Sequence, residues 1–371
     1  MKYRRIHIRY AKLKAMLLAV LIMTGLFTGC GVVNDPVTDP VPAPPPSAAV
    51  DGAPITQDDD APPDDEPNPQ EDSLTGAHVR VGALRGPTGM GIAALMDRAG
   101  EGLTTNEYTF TIGGTPEEMN AGLVSGELDI AMVPSNLASV LYNRTEGDIR
   151  VLSINTLGLL YILDSTGEIN SIEDLRGKTI NATGQGAIPQ YALEHILKGN
   201  GMEPGVDVEI TYNAEHTELA SLMVAGDVAI AMLPQPFVTT VTMQNSDIAI
   251  ALDLTSEWEA VNPSTALIMG NIVVNASFLG QNPDAVELFL RDYEESVAFA
   301  NSNPEEAAQI IERFDIVPAA VAQRAIPRSN LVHITGAEMR QLVEAFLQVM
   351  FEANPQSVGG ALPDEGFYVI R

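Results

Sequence analysis

The sequence predicts an α/β protein built from two similar lobes, and an internal repeat is the main reason. Residues 108–134 align without a gap with residues 208–234, and eight of the 27 aligned positions are identical. Unrelated stretches of ordinary composition would share about two. Each copy has the pattern of a strand, a helix stopped by glycine, and a second strand that ends at proline. Short apolar runs also alternate with helical patterns from residue 79 on, which favours βαβ units and largely parallel sheets. Two similar lobes suggest a cleft between them, and therefore a ligand.

The first 29 residues have the features of a secretory signal peptide. Six Lys and Arg residues with no acid precede an apolar run from Ala15 to Phe27, which is too short for a membrane span. Cys30 follows and is the only cysteine of the 371 residues, so an internal disulfide is excluded. A free core thiol is one interpretation of Cys30. The segment resembles a bacterial lipoprotein signal, which implies that Cys30 carries a lipid.

Residues 31–78 are predicted to be a disordered tether between the lipid and the fold. They contain 11 prolines and 11 acidic residues but no Lys or Arg. Such a segment buries too little apolar surface to offset its ordering entropy. A proline-rich chain of this length reaches about 150 Å at most.

The charge of residues 79–371 excludes some classes of partner. These residues contain 14 Lys and Arg against 38 Asp and Glu, a net charge of −24. Nucleic acid is therefore not an expected partner, because no basic surface would neutralise its phosphates. No further apolar run approaches the length of a membrane span. We expect an extracytoplasmic protein that is held to the membrane by lipid at Cys30.

The predicted elements follow one another in βαβ order. Capping and breaking residues mark the first repeat well: Thr115 and Pro116 suit a helix start, and Gly126 suits its end. The predicted strands are 79–84, 108–112, 128–133, one or two within 149–163, 178–182, 247–252 and 268–274. The predicted helices outside the second repeat are 91–98, 116–124, 137–143, 189–198, 236–243, 282–300, 304–313, 317–325 and 336–352.

This order predicts a chain that crosses between the lobes twice. Residues 79–165 and 265–371 are assigned to the first lobe, and residues 166–264 to the second. The strands at the two crossings would form a hinge. The C-terminal helices would pack back on the first lobe.

Four loops that leave strands are the candidate binding positions, because ligands of open α/β sheets lie beyond the carboxyl ends of the strands. They are residues 85–90, 134–136, 183–186 and 234–237. The first is rich in glycine and leads into a helix, which lets a ligand approach the backbone closely. The two copies of the repeat diverge at their ends, where Ser135-Asn136 corresponds to Gln235-Pro236. Glu215 and His216 also diverge from their counterparts, so they either face the cleft or are solvated.

No catalytic set can be recognised in the sequence. The five histidines lack metal-ligand spacing, no Gly-x-Ser-x-Gly motif occurs, and the single cysteine belongs to the signal. We therefore expect no enzyme activity, no metal site and no cofactor. Phe237 and Tyr142 are among the aromatic residues that could stack on a planar ligand, although most aromatic residues are expected in the core.

Several blocks of sequence together resemble one protein family. VGALRGPTGMGIAALM, LDIAMVPSNLASVLYN, DLRGKTINATGQGAIPQYALEHIL and AMLPQPFVTT are similar to segments of the extracytoplasmic substrate-binding lipoproteins of ABC importers. The similar group contains the nitrate, sulfonate and taurine binders and the binders of thiamine-pyrimidine precursors. The resemblance implies a two-lobed periplasmic-binding-protein fold of type II connectivity, which closes on a small molecule and delivers it to an ABC permease. An enzyme on the same fold and a ligand-sensing ectodomain are the alternatives.

The resemblance also implies a set of ligand-binding residues. A sulfonate- or nitrate-like anion is one candidate ligand, although Arg85 is the only cation near the loops. A planar heterocycle stacked on an aromatic ring is the other. The predicted ligand-binding residues are Gly86, Thr88, Gly89, Met90, Ser135, Asn136, Thr183, Gln185, Gly186, Gln235 and Phe237.

Overall fold

A computed structural model of the protein describes residues 74–370, which form two β-sheets flanked by helices. The strands are β1 (His78–Leu84), β2 (Glu107–Gly113), β3 (Ile130–Pro134), β4 (Ile149–Leu157), β5 (Leu160–Asp164), β6 (Thr179–Ala182), β7 (Glu209–Tyr212), β8 (Ile230–Pro234), β9 (Ala249–Asp253), β10 (Ile268–Asn275) and β11 (Leu331–Ile334). The α-helices are α1 (Pro87–Gly100), α2 (Pro116–Ser125), α3 (Ser135–Arg144), α4 (Ile188–Gly199), α5 (His216–Ala225), α6 (Phe237–Gln244), α7 (Leu254–Val261), α8 (Ala276–Gln281), α9 (Pro283–Ser302), α10 (Pro304–Arg313), α11 (Ala319–Ala325) and α12 (Gly336–Ala353).

Each lobe is one sheet together with the helices packed on it. The first sheet has the order β11-β4-β10-β3-β1-β2, and the second has the order β7-β6-β8-β5-β9. In both sheets three parallel strands stand beside an antiparallel strand that has crossed from the other lobe: β10 beside β3, and β5 beside β8. The expected two-lobed α/β fold with two crossings is confirmed.

The internal repeat folds as two equivalent units. α2 begins at residue 116 and α5 at residue 216, and β3 and β8 end at Pro134 and Pro234. Gly126 and Gly226 end the two helices with left-handed φ angles of 75° and 83°. Residues with a side chain adopt this conformation only at a cost, which explains why both copies keep glycine there.

The first crossing lies earlier in the chain than the sequence analysis placed it. Leu160–Asp164 was assigned to the first lobe, but this strand pairs with β8 and β9 in the second sheet. The chain therefore passes from the first lobe to the second at Gly158-Leu159 rather than after residue 165. The chain returns to the first lobe after α7 and enters the first sheet at β10. Helix α7 was not predicted from the sequence.

The fold also begins before residue 79. Residues 74–78 were assigned to the tether, yet Ala77 donates its N–H to Asn106 Oδ1 at 3.0 Å and His78 opens the register of β1 against β2. Ala77 is thus bonded to the fold and His78 belongs to its first strand, so both residues are part of the folded unit. The predicted signal peptide, Cys30 and the tether up to residue 73 lie outside the described residues.

Helix α1 starts at Pro87 instead of residue 91, so the loop after β1 is shorter than predicted. Proline suits the first turn of a helix because its φ is already helical. Gly89 and Gly91 lie inside the helix, and both positions need glycine because there is no room for a side chain. A Cβ at Gly89 would lie 2.7 Å from Leu84 O, and one at Gly91 would lie 2.9 Å from the Tyr293 hydroxyl.

The C-terminal helices pack on the first lobe, as expected, and one of them also contacts the second. α9 and α10 lie against α1. α12 packs on β4 and also on α4 of the second lobe, and its Phe346 ring lies 5.8 Å from the ring of Trp258 on α7. This side of the molecule is therefore a continuous apolar core that joins the lobes. Between residues 74 and 370, no helix is long and apolar enough to span a bilayer.

Candidate ligand-binding cleft

A cavity of about 660 Å³ lies between the two lobes. The carboxyl ends of β1, β3 and β4 and the start of β10 line it from the first lobe, and the end of β8 with the starts of α5 and α6 lines it from the second. α11 of the first lobe touches α6 of the second, which closes one side. The volume lies within the range of about 300–1,000 Å³ that is usual for small-molecule sites.

The second lobe contributes Gln235, whose amide orientation can be assigned. Gln235 is 1% exposed and lines the cavity. Its Oε1 accepts hydrogen bonds from the hydroxyl of Thr239 at 2.8 Å and from the backbone N–H of Thr239 at 3.4 Å. A backbone N–H can only donate, so the atom that receives it is the oxygen. Nε2 then has no partner among the described residues and is a buried, unpaired donor of a residue that lines the cavity.

His216, at the start of α5, lines the cavity beside Phe237. The two rings are 5.1 Å apart, and His216 Nδ1 lies 2.6 Å from the Thr183 hydroxyl. Burial lowers the pKa of His216 and Glu215 partly opposes this shift, so the ring is neutral at neutral pH. Because Thr183 occupies Nδ1, Nε2 is the nitrogen left for a ligand. The sequence is compatible with either position for this pair; in the structure His216 faces the cleft, whereas Glu215 is exposed.

The first lobe contributes Gly86 and Thr88 at the start of α1. Gly86 has a φ of 100° and a ψ of −145°, a backbone conformation that glycine adopts far more easily than other residues. It faces the second lobe closely, since a Cβ there would lie 3.9 Å from Pro236 Cδ. Thr88 lines the cavity, but its hydroxyl is bonded to the backbone N–H and carbonyl of Leu84, both at 3.0 Å.

The first crossing between the lobes contributes Thr156, near the end of β4. Thr156 is 2% exposed, and its hydroxyl has no hydrogen-bond partner in the described structure. Next to it, both polar side-chain atoms of Asn155 are also unpartnered, and Gly270 leaves room for them. Buried polar groups normally have partners. Their absence here fits a place where a ligand or water supplies them.

Arg85 is the only residue with a formal charge at neutral pH among the described residues that line the cavity. It is already engaged, because its Nη1 lies 2.5 Å from the Asp315 carbonyl and 3.0 Å from Oδ2 of the same residue. The rest of the wall is largely apolar, with prolines from both lobes and a segment from Ile316 to Val321.

Four of the predicted ligand residues line this cavity: Gly86, Thr88, Gln235 and Phe237. The others lie outside its wall. Gly89 and Met90 are buried in the first lobe, and Ser135 is buried directly after the lining residue Pro134. Asn136 binds the Ser357 carbonyl at 3.0 Å. Thr183 supports His216 from behind, whereas Gln185 and Gly186 are exposed at the surface.

No sequence pattern predicted the part of the wall that is formed by Met269, Gly270, Ile316, Val317, Pro318 and Val321. These residues are mostly apolar and come from the C-terminal third of the chain, far from the repeat. Pro318, directly before a short helix, was the only local sign of a loop. Tyr142 lies elsewhere: its hydroxyl bonds to Asp364 and its ring packs on Phe367.

Residues 74–370 contain no group of three or more His, Asp or Glu side chains that could hold a metal ion. The polar groups at the cavity wall include the Gln235 amide, the Thr156 hydroxyl and the neutral His216 imidazole. Such a site can bind and orient a molecule by hydrogen bonds and apolar contact.

Comparison with solved structures finds the same fold in several binding proteins. An ABC transporter protein of Parabacteroides distasonis is 21% identical with a TM-score of 0.66, over 78% of this chain and 98% of that chain. The periplasmic aliphatic sulphonate-binding protein SsuA of Escherichia coli is 15% identical with a TM-score of 0.62, over 77% and 92% of the two chains. The periplasmic nitrate-binding protein NrtA of Synechocystis PCC 6803 is 13% identical with a TM-score of 0.56, over 75% and 82%.

Two sequence comparisons agree with this fold. A protein of Brucella abortus (strain 2308), named as a binding protein, is 24% identical over 242 residues, which are 64% of this chain and 71% of that protein. The sequence profile of the NMT1/THI5-like family matches residues 102–307, more than half of the chain. The chain therefore belongs to the NMT1/THI5-like family.

Proposed function

We propose that this protein is the extracytoplasmic solute-binding component of an ABC importer. It captures one small molecule between its lobes and delivers it to a membrane permease. The observation that carries the proposal is the cavity of about 660 Å³, which both lobes line and in which Gln235 Nε2 and the Thr156 hydroxyl have no protein partner among the described residues. The fold shared with sulphonate- and nitrate-binding proteins supports this role.

The proposed ligand contacts are Gln235, Thr156, His216 and Phe237, with Gly86 allowing close approach of the backbone. Contacts that require both lobes exist only when the lobes are closed, so a ligand that makes them shifts the population towards the closed state. The protein then needs no catalytic group, and its neutral donors suffice to hold and orient a ligand.

The N-terminal segment supports the proposed location. A basic and apolar leader followed by Cys30 fits a lipoprotein that is anchored outside the cytoplasmic membrane. Replacing Cys30 by serine should release the protein from the membrane fraction and abolish labelling by a clickable fatty acid. Labelling that persists in the variant would exclude Cys30 as the lipid site.

A thermal-shift screen tests ligand capture. The mature chain with Cys30→Ser is screened against sulfonates, nitrate, pyrimidines and amino acids. A ligand that binds only the folded state adds about 2.7 kcal/mol at a hundredfold excess over Kd. Thr240→Trp, which fills the cavity from α6, is the matched control and should cancel the shift. A shift that survives in this variant would place the binding site elsewhere.

A further inference from the structure

The charge of the cavity wall sets a limit on its ligand. Neither Asp, Glu nor Lys occurs among the described residues of the wall, and the single arginine, Arg85, is held by Asp315. An anion in this cavity would leave water and would have to compete with Asp315 for the only cation of the wall. Burying an unpaired charge costs far more than burying an uncharged molecule whose polar groups find hydrogen-bond partners.

The hydrogen-bonding groups of the wall suit a ligand that carries an acceptor. Gln235 Nε2 can only donate, and the Thr156 hydroxyl can donate as well. The starts of α1, α5 and α6 also reach the cavity, and their partial positive charge favours any oxygen or nitrogen acceptor, anionic or neutral. The charge of an anion must still be desolvated there, which a neutral acceptor avoids. Pro87 lacks an N–H at the first position of α1, so this helix offers one donor fewer to an anion.

The His216–Thr183 pair adapts to the ligand without a change of charge. The Thr183 hydroxyl can donate to Nδ1 or accept from it, and the two arrangements leave Nε2 as a donor or an acceptor, respectively. His216 therefore satisfies an uncharged polar group of either kind. Glu215, directly before α5, is the charged group that acts on His216, and Arg85 is the only charged residue of the first lobe among the described residues that line the cavity.

The protein as a whole repels anions. Its formal net charge is −29 at pH 7, and such a field slows the approach of negative ligands at low ionic strength. This field does not change the rate at which an uncharged ligand approaches.

From these observations we infer that the cleft selects an uncharged, mainly apolar molecule that carries a hydrogen-bond acceptor at one end, and that it discriminates against anions. This inference rests on the proposed function and narrows it to one ligand class. The apolar body lies against Phe237, the prolines and the Ile316–Val321 segment, and the acceptor meets Gln235 and Thr156.

A competition experiment with a matched pair of probes tests the inference. N-phenyl-1-naphthylamine, an uncharged fluorophore, is titrated into the mature Cys30→Ser chain, and its binding should saturate at one equivalent. Naphthalene-2-carboxamide and naphthalene-2-carboxylate then compete for the site. They share shape and a carbonyl acceptor and differ in charge. The carboxamide should displace the fluorophore at a concentration about tenfold lower or more, because the carboxylate loses its hydration without a counter-charge.

Gln244→Arg provides a test by gain of binding. Gln244 lines the cavity at the carboxyl end of α6, where an added cation is favoured by the helix dipole. The variant should shift the ratio of carboxylate to carboxamide affinity about tenfold towards the carboxylate, whatever it does to the two affinities together. Thr240→Trp and, from the opposite wall, Val321→Trp should abolish fluorophore binding, so the site is identified even if one of the two fails to fold.

Three results would overturn the inference: a carboxylate that competes as well as the carboxamide, no saturable binding of the fluorophore, or no gain for the carboxylate relative to the carboxamide in Gln244→Arg. Each leaves the proposed function to the thermal-shift screen. A sulfonate or nitrate that raises the melting temperature would keep solute capture and reject the uncharged ligand class. If the fluorophore bound while every screened solute failed, the ligand class would stand and the screen would have to move to uncharged molecules.

Discussion

A single methyl group at Gly158 should disturb the hinge. Gly158 lies where the chain leaves β4 for the second lobe, and its φ is not in the left-handed region. A Cβ there would lie 2.3 Å from Thr255 Oγ1, 3.0 Å from Thr255 Cβ and 3.1 Å from Leu267 Cδ2. The cost of Gly158→Ala is therefore steric rather than conformational.

The expected loss of stability in Gly158→Ala follows from this overlap. Extra atoms in a packed interior cost about 1–3 kcal/mol. Thr255→Ala removes the nearest atom, and alone it should be neutral or slightly stabilising, because that buried hydroxyl has no partner among the described residues. In the double variant about half of the loss should return, since Thr255 Cβ and Leu267 are still close. The coupling energy should then be about 0.5–1.5 kcal/mol.

Urea unfolding of the four proteins in this cycle measures both values. The fluorescence of Trp258, the only tryptophan of the chain, reports on the hinge because it lies one turn after Thr255 on α7. Gly280→Ala is the control, since a Cβ there meets nothing within 4 Å and the residue lies in α8. It should be neutral or slightly stabilising. A Gly158→Ala loss that is the same with and without Thr255→Ala would refute the steric explanation.

Two further predictions concern buried histidines. Thr183→Val keeps the shape of the side chain but leaves His216 Nδ1 without its partner, so the free energy of unfolding should fall by about 1 kcal/mol. The control is Thr179→Val, at an exposed position of β6, which should change the free energy of unfolding by less than about 0.5 kcal/mol in the same urea assay. Equal losses in the two variants would speak against a role for the buried bond. Burial lowers the pKa of His195, His216 and His333 below the usual 6.5. Below pH 6.5 the unfolded chain thus binds protons that the folded chain does not, and stability falls as the pH decreases from 7 towards 5. His195→Phe should reduce this loss, which urea midpoints at pH 7.5 and 5.5 will measure, and an unchanged pH dependence would show that His195 does not contribute.

Local patterns predicted most of the elements of the fold. Proline, glycine and threonine placed α2 between residues 116 and 124, and the structure ends it one residue later. The helix start at Pro87 was predicted four residues late, because Gly89 and Gly91 look like loop residues until their close neighbours Leu84 and Tyr293 are known. Helix propensity is a weak signal, and tertiary packing overrides it.

The candidate site was predicted only in part. Gly86 and Thr88 follow β1, and Gln235 and Phe237 follow β8 of the repeat, so the rule about strand ends was enough to select them. Asn136 and Thr183 have the same kind of position but bind the C-terminal segment and His216 instead. The direction in which a side chain points at a strand end depends on what packs behind it, which no local pattern contains.

The sequence by itself determined that the chain has two similar α/β lobes, because the repeat at an offset of 100 residues needs only one-dimensional comparison. It also determined the acidity of the fold and the signal-like start. Only the tertiary structure decided where the chain crosses between the lobes and which residues form the cavity wall. Strand pairing decided the first, since β5 is an apolar strand that either sheet could have accepted. Long-range packing decided the second, because β10 and the Ile316–Val321 segment reach the cleft from positions distant in sequence and have no polar motif that marks them as part of a site.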